Sequence, residues 1–265
     1  MIEAMKARRS VRTYDGRAVE DDLLLQLLAE SALWGNPFGI PVSFRFLDAK
    51  EHDLVCPVVV GTELYVGGKV KIGPNACAAF GYSFEQFVLR AQEMGLGTVW
   101  LGGTMNRAAY EKAMELEAGE MMPCASPLGY PAPKMSMRET MMRKGIRADE
   151  RMDFCALFFD GDAATPLSRE KADTLALPLE MVRLAPSAVN KQPWRVIVKD
   201  GAAHFYCKRS RGVGGSTLDM QMVDMGIALC HFELAAQECG LDTEFMQEDP
   251  GLAKDMEYVA SYRVK

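Results

Sequence analysis

The sequence is short of the features that would fix a function at once. Its histidines, His52, His204 and His231, lie far apart, so a zinc site of the common spacings is not expected. Its 7 cysteines form no CxxC pair, and an odd number argues against a full disulfide framework. The longest apolar runs, such as Val58 to Val60 and Ala156 to Phe159, fall far short of the roughly 20 residues that cross a bilayer. Positive charge is not in excess: 30 Lys and Arg stand against 36 Asp and Glu, a net charge of −6. No global basic field invites nucleic acid. Residues 1–12 are charged and have no apolar core, so a secretory signal is not expected and a cytoplasmic protein is. The nucleophile elbow GxSxG, the P-loop, HExxH and the dinucleotide fingerprint GxGxxG are all missing. What remains is 49% hydrophobic and 25% charged, the balance of a packed soluble chain. The 18 methionines are read as flexible core filling.

What is present is a repeat. Gly81 to Thr98 (GYSFEQFVLRAQEMGLGT) and Gly226 to Thr243 (GIALCHFELAAQECGLDT) share 9 of 18 positions without a gap, at an offset of 145. Both copies read as an amphipathic helix closed by a glycine and followed by a strand. A weaker match in register joins Leu23–Leu47 to Leu175–Val198, with Pro41 opposite Pro193 at an offset of 152. One duplication of a domain-sized unit is implied. The turn-rich stretch DGDAATP, Asp160 to Pro166, marks the junction. The expected lobes are residues 1–160 and a shorter 161–265.

The pattern predicts helices over Ile2–Arg8, Asp21–Leu33, Asn75–Met94, Asn106–Leu116, Met135–Lys144, Ser168–Leu184 and Leu218–Cys239. Strands are expected at Ser43–Asp48, Leu54–Val60 and Thr98–Leu101, and ending at Ser126. Others are expected at Arg195–Lys199, His204–Lys208 and Tyr258–Val264. Helices and strands mix without strict alternation, which favours α+β over a doubly wound sheet.

Three segments carry candidate chemistry. Arg8-Arg9-Ser10-Val11-Arg12 places three guanidinium groups and a hydroxyl beside a helix end, a set suited to a phosphate and a polar ring edge. Taken alone, it is equally a solvated basic stretch. Ala185 to Trp194 (APSAVNKQPW) is a proline-stiffened loop offering Ser187, Asn190 and Gln192 as uncharged donors and acceptors. An ordinary helix-to-strand connection has the same composition. Pro127-Leu128-Gly129-Tyr130-Pro131 is a turn whose glycine permits close backbone approach to a flat ligand, or simply ends a strand.

Together the RRSxR-type segment, the PSxxNxQPW loop, the LGYP-like turn and the strand Gly95-Leu96-Gly97-Thr98-Val99-Trp100 resemble the nitroreductase family of flavin enzymes. The late position of the PSxxNxQPW loop resembles the tandem, single-chain branch, the TM nitroreductase type, in which one chain imitates a homodimer. The resemblance implies an α+β, nitroreductase-like fold: two related lobes with mixed or antiparallel sheets flanked by helices. It implies FMN as cofactor and NAD(P)H as reductant. By resemblance, Arg8 and Ser10 face the phosphate and ribityl region, and Arg9 and Arg12 the polar edge of the ring. Pro127, Leu128, Gly129 and Tyr130 pack by the ring. Ser187, Asn190 and Gln192 reach in from the other lobe. Arg151 stands where the family completes its phosphate site, although Met152 and Asp153 depart from the usual Arg-Lys-Pro. Lys69 and Glu85 are further candidates, with structural roles expected for both. No side chain is expected to be a catalytic nucleophile and no metal is expected, because the flavin carries the chemistry.

The duplication sharpens the expectation. Opposite Arg8-Arg9-Ser10 fall Asp160-Gly161-Asp162, whose carboxylates repel a phosphate. Opposite Ser187, Asn190 and Gln192 fall Gly35, Phe38 and Ile40, and opposite Gly129 falls Val264. One composite FMN site per chain is expected, with Trp34, Phe38 and their neighbours filling the second. The expected activity is ping-pong hydride transfer from NAD(P)H through flavin to a small-molecule acceptor, nitroaromatic or quinone-like. The alternative is a flavin-binding protein that does not turn over. A monomer that imitates a homodimer is expected, with neither nucleic acid nor membrane as partner.

Overall fold

A computed structural model describes residues 1–210 and 217–265. The first lobe runs through helices α1 (Ile2–Ala7) and α2 (Asp21–Ser31), strands β1 (Val42–Asp48) and β2 (Leu64–Lys71), and the long helix α3 (Ala76–Glu93). Helix α4 (Arg107–Ala113), strands β3 (Glu120–Met121) and β4 (Ala125–Pro127), and helix α5 (Met137–Gly145) complete it. Its sheet is antiparallel and centred on β2, with Val42 opposite Val70 and Tyr65 opposite Pro127. Helix α6 (Phe154–Leu157) and strand β5 (Phe158–Asp160) lead out of it, followed by helices α7 (Arg169–Ala172) and α8 (Ala176–Leu184). Strands β6 (Trp194–Lys199) and β7 (Ala202–Cys207), helix α9 (Met220–Glu238), and strands β8 (Thr243–Met246) and β9 (Glu257–Val264) form the second lobe. The second sheet has the order β5-β6-β7-β9-β8, antiparallel except for the parallel pair β5 and β6. The expected boundary after Asp160 thus falls at the end of a strand that already lies in the second sheet.

The architecture is α+β, as expected, and built twice. Helices α3 and α9, the two copies of the repeat, pack against each other at the centre of the molecule. Both end on a left-handed glycine, Gly95 at φ +79° and Gly240 at φ +77°. Asp219 caps α9, its carboxylate accepting from the N–H groups of Gln221 and Met222. The crossing is set by glycines at equivalent repeat positions. A Cβ on Gly81 would stand 2.1 Å from the Val223 carbonyl oxygen, and one on Gly226 would stand 2.0 Å from that of Ala78. One apolar core, from Phe80, Phe84 and Phe87 to Val223 and Phe232, spans both lobes.

Several local expectations are corrected. Helix α9 is not amphipathic over its length: Val223 to Phe232 are all buried, because α3, α8 and the second sheet enclose it. Leu54–Val60 is a series of turns around Pro57, with only Val60 bridging Thr13. The strand is Leu64–Lys71 instead, whose Gly67 and Gly68 conceal it. A Cβ on Gly67 would stand 2.3 Å from Met114 Sδ, and one on Gly68 2.9 Å from the Phe80 ring. Thr98–Leu101 forms isolated bridges, Ser10 with Thr98 and Leu101 with Ala125, rather than a strand. Ser168–Leu184 breaks at Asp173, where φ is +49°. Among the described residues no helix is long and apolar enough to cross a membrane.

Candidate functional site

The RRSxR segment leaves α1 at Arg8, whose extended backbone (φ −59°, ψ 130°) ends the helix. The chain from there is laced into the first lobe: Val11 N–H donates to Thr98, Tyr14 N–H to Val60, and Val60 N–H back to Arg12. The backbone that carries these arginines is therefore fixed. Arg8 has 5% of its side chain exposed, and its Nε lies 4.0 Å from Glu85 Oε1, while its buried Nη1 has no partner. Arg12 is 7% exposed, and neither its Nε nor its Nη1 has an acceptor. Arg9 is less buried and donates to Glu139 Oε1 at 3.4 Å.

Two further arginines join them. Arg143, in the last turn of α5, donates to the Ser10 carbonyl at 3.3 Å and pairs with Asp149. Arg151 donates to the carbonyls of Ala148, Glu150 and Leu184, and its buried Nε is left without an acceptor. Burial lowers the pKa of Arg8, Arg12 and Arg151, and repulsion from Arg143 adds to the lowering in all three. Arg143 thus stands among the other cations. Positive charge is gathered here, although the chain as a whole is acidic. Unpaired buried cations are costly and are held only where a structure over-determines them.

The second lobe meets this cluster through the Ser187–Gln192 loop. Ser187 Oγ accepts the Gln192 N–H at 2.9 Å, which leaves the hydroxyl hydrogen unused within that bond. Asn190 Nδ2 donates to the carbonyls of Arg147 and Glu150 at 2.7 and 2.9 Å, and its Oδ1 accepts from Arg151 Nη1 at 3.4 Å. Gln192 Oε1 accepts the Met152 N–H at 2.9 Å. The two amides are thus engaged in clasping the segment that carries Arg151. Val189, Asn190 and Gln192 have φ of +44°, +57° and +49°. Each such backbone costs on the order of 1–3 kcal/mol, and a β-branched residue there is a marked outlier. Strain of this kind collects in loops that a function needs.

The turn Pro127 to Tyr130 packs beside the segment that carries the arginines, Gly129 bridging Gly97 and the next residue, Thr98, bridging Ser10. A Cβ on Gly129 would stand 3.0 Å from the Tyr14 ring and 3.3 Å from Thr62 Oγ1. Tyr14 fills the space over the glycine, and the Gly129 carbonyl accepts from Gly97 N–H. Leu128 is buried and Pro127 ends β4. Tyr130 is drawn to the surface, where it donates to Glu20 and lies under Arg17, 4.2 Å from its ring centroid. Lys69 pairs with Glu120 at 2.7 Å on the first sheet and takes no part.

Glu85 does more than pack. Its Oε2 accepts from Trp100 Nε1 at 3.0 Å, and its Oε1 lies 2.9 Å from His231 Nε2 of the other lobe. His231 Nδ1 is 2.8 Å from the Met181 carbonyl, so that nitrogen carries a hydrogen. The pair is fully buried and stitches α3 to α9 beneath Arg8. Neither Arg143 nor His231 belongs to a linear motif, so neither was singled out from the sequence. An open cleft of about 690 Å³ on the first lobe is lined by Gly16–Val19 and Val59–Leu64, and none of Arg8, Arg12, Arg143 and Arg151 lines it. Its charged walls are already paired, Lys50 with Glu63 and Arg17 with Asp15. The chemistry therefore points to the arginine cluster.

At the equivalent place in the other half, Trp34 packs on Phe87 and Phe38 on Phe245, which in turn meets Tyr262.

Comparison with known proteins gives a family match over residues 1–236, to a model described as "Putative TM nitroreductase". A crystal structure from Thermotoga maritima, described as a "putative nitroreductase", has a TM-score of 0.64 at 19% identity, covering 99% of this chain and 92% of that one. An FMN-dependent nitroreductase from Clostridium difficile is 18% identical with a TM-score of 0.43, covering 54% and 96%. A nitroreductase-like family protein from Bacillus cereus is 23% identical with a TM-score of 0.41, covering 53% and 93%. No curated protein matches.

Proposed function

This chain belongs to the TM nitroreductase family, and from that premise we propose that it is an FMN-dependent NAD(P)H oxidoreductase acting on a nitroaromatic or quinone-like acceptor. The observation that carries the reading is the set of buried guanidinium N–H groups without acceptors, at Arg8, Arg12 and Arg151. A buried donor without a partner costs about 1–3 kcal/mol, more when charged. A phosphate monoester supplies both things that are missing, acceptor oxygens and negative charge. The residues therefore fit a phosphate-bearing cofactor.

When bound, FMN supplies hydride transfer between a reduced nicotinamide and an acceptor. Arg8, Arg143 and Arg151 would hold the phosphate, with Ser10 adding a short donor. Arg12 would donate toward the polar edge of the ring. Asn190 and Gln192 act at one remove, keeping the segment 147–152 and hence Arg151 in place. Ser187 keeps a hydroxyl hydrogen to give. Both lobes contribute to one site, so a single chain holds a complete one, and a monomer is the expected assembly.

The test is direct. Protein incubated with FMN and desalted is expected to stay yellow, to bleach under anaerobic NADH or NADPH, and to recover colour when a nitroaromatic or quinone is added. Colour that neither nucleotide bleaches would leave a flavin-binding protein without turnover. Colourless protein would overturn the reading.

A further inference from the structure

Glu85 on α3 and His231 on α9 meet where the two central helices pack, and neither side chain is exposed. His231 Nδ1 lies 2.8 Å from the Met181 carbonyl, which can only accept, so that nitrogen carries a hydrogen. His231 Nε2 lies 2.9 Å from Glu85 Oε1. Two lone pairs do not face each other at that distance, so a proton stands between them. Glu85 Oε2 is engaged separately, accepting from Trp100 Nε1 at 3.0 Å. Whether the shared proton is assigned to the imidazole or to the carboxyl, the pair sums to zero charge.

Arg8 stands beside this pair. Among the described residues, the charged groups that act on Arg8 are the cations Arg143 and Arg151 and one carboxylate, Glu85. Arg8 Nε is 4.0 Å from Glu85 Oε1, beyond hydrogen-bond reach, and the buried Nη1 has no acceptor. The carboxylate that could neutralise Arg8 is turned instead to His231 and Trp100. A direct Arg8–Glu85 fork would occupy the very donors that a phosphate needs.

The duplication shows which half keeps such a pair. At the offset of 145, Cys230 stands opposite Glu85 and Gln86 opposite His231. Burial raises the Cys230 thiol well above its ordinary value, so the mirrored pair is a neutral thiol and an amide whose Oε1 has no partner. Asp160 stands opposite Arg8. The proton-sharing pair belongs to the side that kept the arginine.

We propose that Glu85 and His231 are positioning residues of the phosphate site: His231 ties up the Glu85 carboxylate, which leaves the Arg8 guanidinium free for the FMN phosphate. This inference rests on the FMN reading above. Both residues act through Arg8.

Fluorescence titrations of the full chain with FMN and with riboflavin, which lacks the phosphate, test it. Wild-type protein is expected to prefer FMN. In His231→Gln an amide keeps a donor near Glu85 but cannot carry the shared proton, so the Glu85 charge turns to Arg8. The preference for FMN over riboflavin is expected to fall about 10- to 100-fold, the worth of a charge-assisted hydrogen bond. Riboflavin affinity is expected to stay within about threefold, a shift of well under 1 kcal/mol. Glu85→Gln added to His231→Gln removes the charge again and is expected to restore the preference. A merely structural pair would instead weaken both flavins alike, with no repair by the second substitution. The proposal is overturned if His231→Gln keeps the wild-type preference, or if the double variant fails to restore it. If His231→Gln alone does not fold, the double variant decides: the wild-type preference supports the proposal and its loss overturns it. Wild-type protein that holds FMN no better than riboflavin, or takes up neither, would overturn the phosphate reading and this inference together. A wild-type preference that His231→Gln leaves intact would overturn this inference alone.

Discussion

Gly226→Ala is expected to be among the most damaging single methyl groups that the described residues can receive. The new Cβ would meet the Ala78 carbonyl oxygen at 2.0 Å and the Tyr82 nitrogen at 2.7 Å, both backbone atoms of α3. Backbone in the middle of a buried helix has no rotamer to change, so α9 and α3 must separate. Overpacking of this kind costs about 1–3 kcal/mol and more where nothing yields. A loss of at least about 3 kcal/mol is expected here, which is a large share of a typical domain's stability. Gly81→Ala meets the Val223 carbonyl at 2.1 Å and is expected to behave alike. Alanine at Gly103, which has open space around it, is the control. Chemical denaturation measures all three. Because Glu85 and His231 cross the same seam beneath Arg8, the two damaging variants are also expected to lose FMN.

Arg12→Met is expected to move stability and binding in opposite directions. The Arg12 side chain is buried without an acceptor at Nε or Nη1; burial is its main penalty, and the attraction of Glu139 exceeds the repulsion of Arg143 without offsetting that burial. An apolar side chain of similar volume removes an uncompensated buried cation, a change that is often neutral or stabilising by about 1–4 kcal/mol. The FMN-free protein should therefore melt at the same temperature or higher. FMN affinity should fall about 10- to 100-fold, the value of a charge-assisted hydrogen bond. Thermal melts of the free protein and a flavin titration read the two effects. A variant that loses both together would mark Arg12 as a structural residue.

Much of this was legible in the sequence, and the limits have physical causes. The repeat helix was legible because a packing seam between two copies conserves its glycines and its length. Arg8, Ser10 and Arg12 were legible because a short segment carries them. Asn190 and Gln192 were legible as polar residues of a rigid loop, but their partners lie some 40 residues earlier in the chain, at Arg147 to Met152. A clasp and a ligand contact look the same in composition. Gly129 was legible as a turn glycine, whereas the Tyr14 ring that packs against it is remote in sequence and was not. Strand β2 was concealed by Gly67 and Gly68, residues that weaken a strand in isolation and are required here by Met114 and Phe80. Arg143 had no signal beyond a basic helix end.

The central claim is that the two halves share one flavin site. On this reading Arg8, Arg12, Arg143 and Arg151 come from the first half of the chain and Ser187 from the second. At the repeat positions opposite the Ser187–Gln192 loop, Trp34 packs on Phe87 and Phe38 on Phe245, and Asp160 and Asp162 stand opposite Arg8 and Ser10 in the sequence. The most direct measurement is the ratio of bound FMN to chain, from a flavin titration of the full-length protein with the free cofactor removed. One FMN per chain is predicted. Two per chain would contradict the account, because the aromatic-filled position would then be a working site.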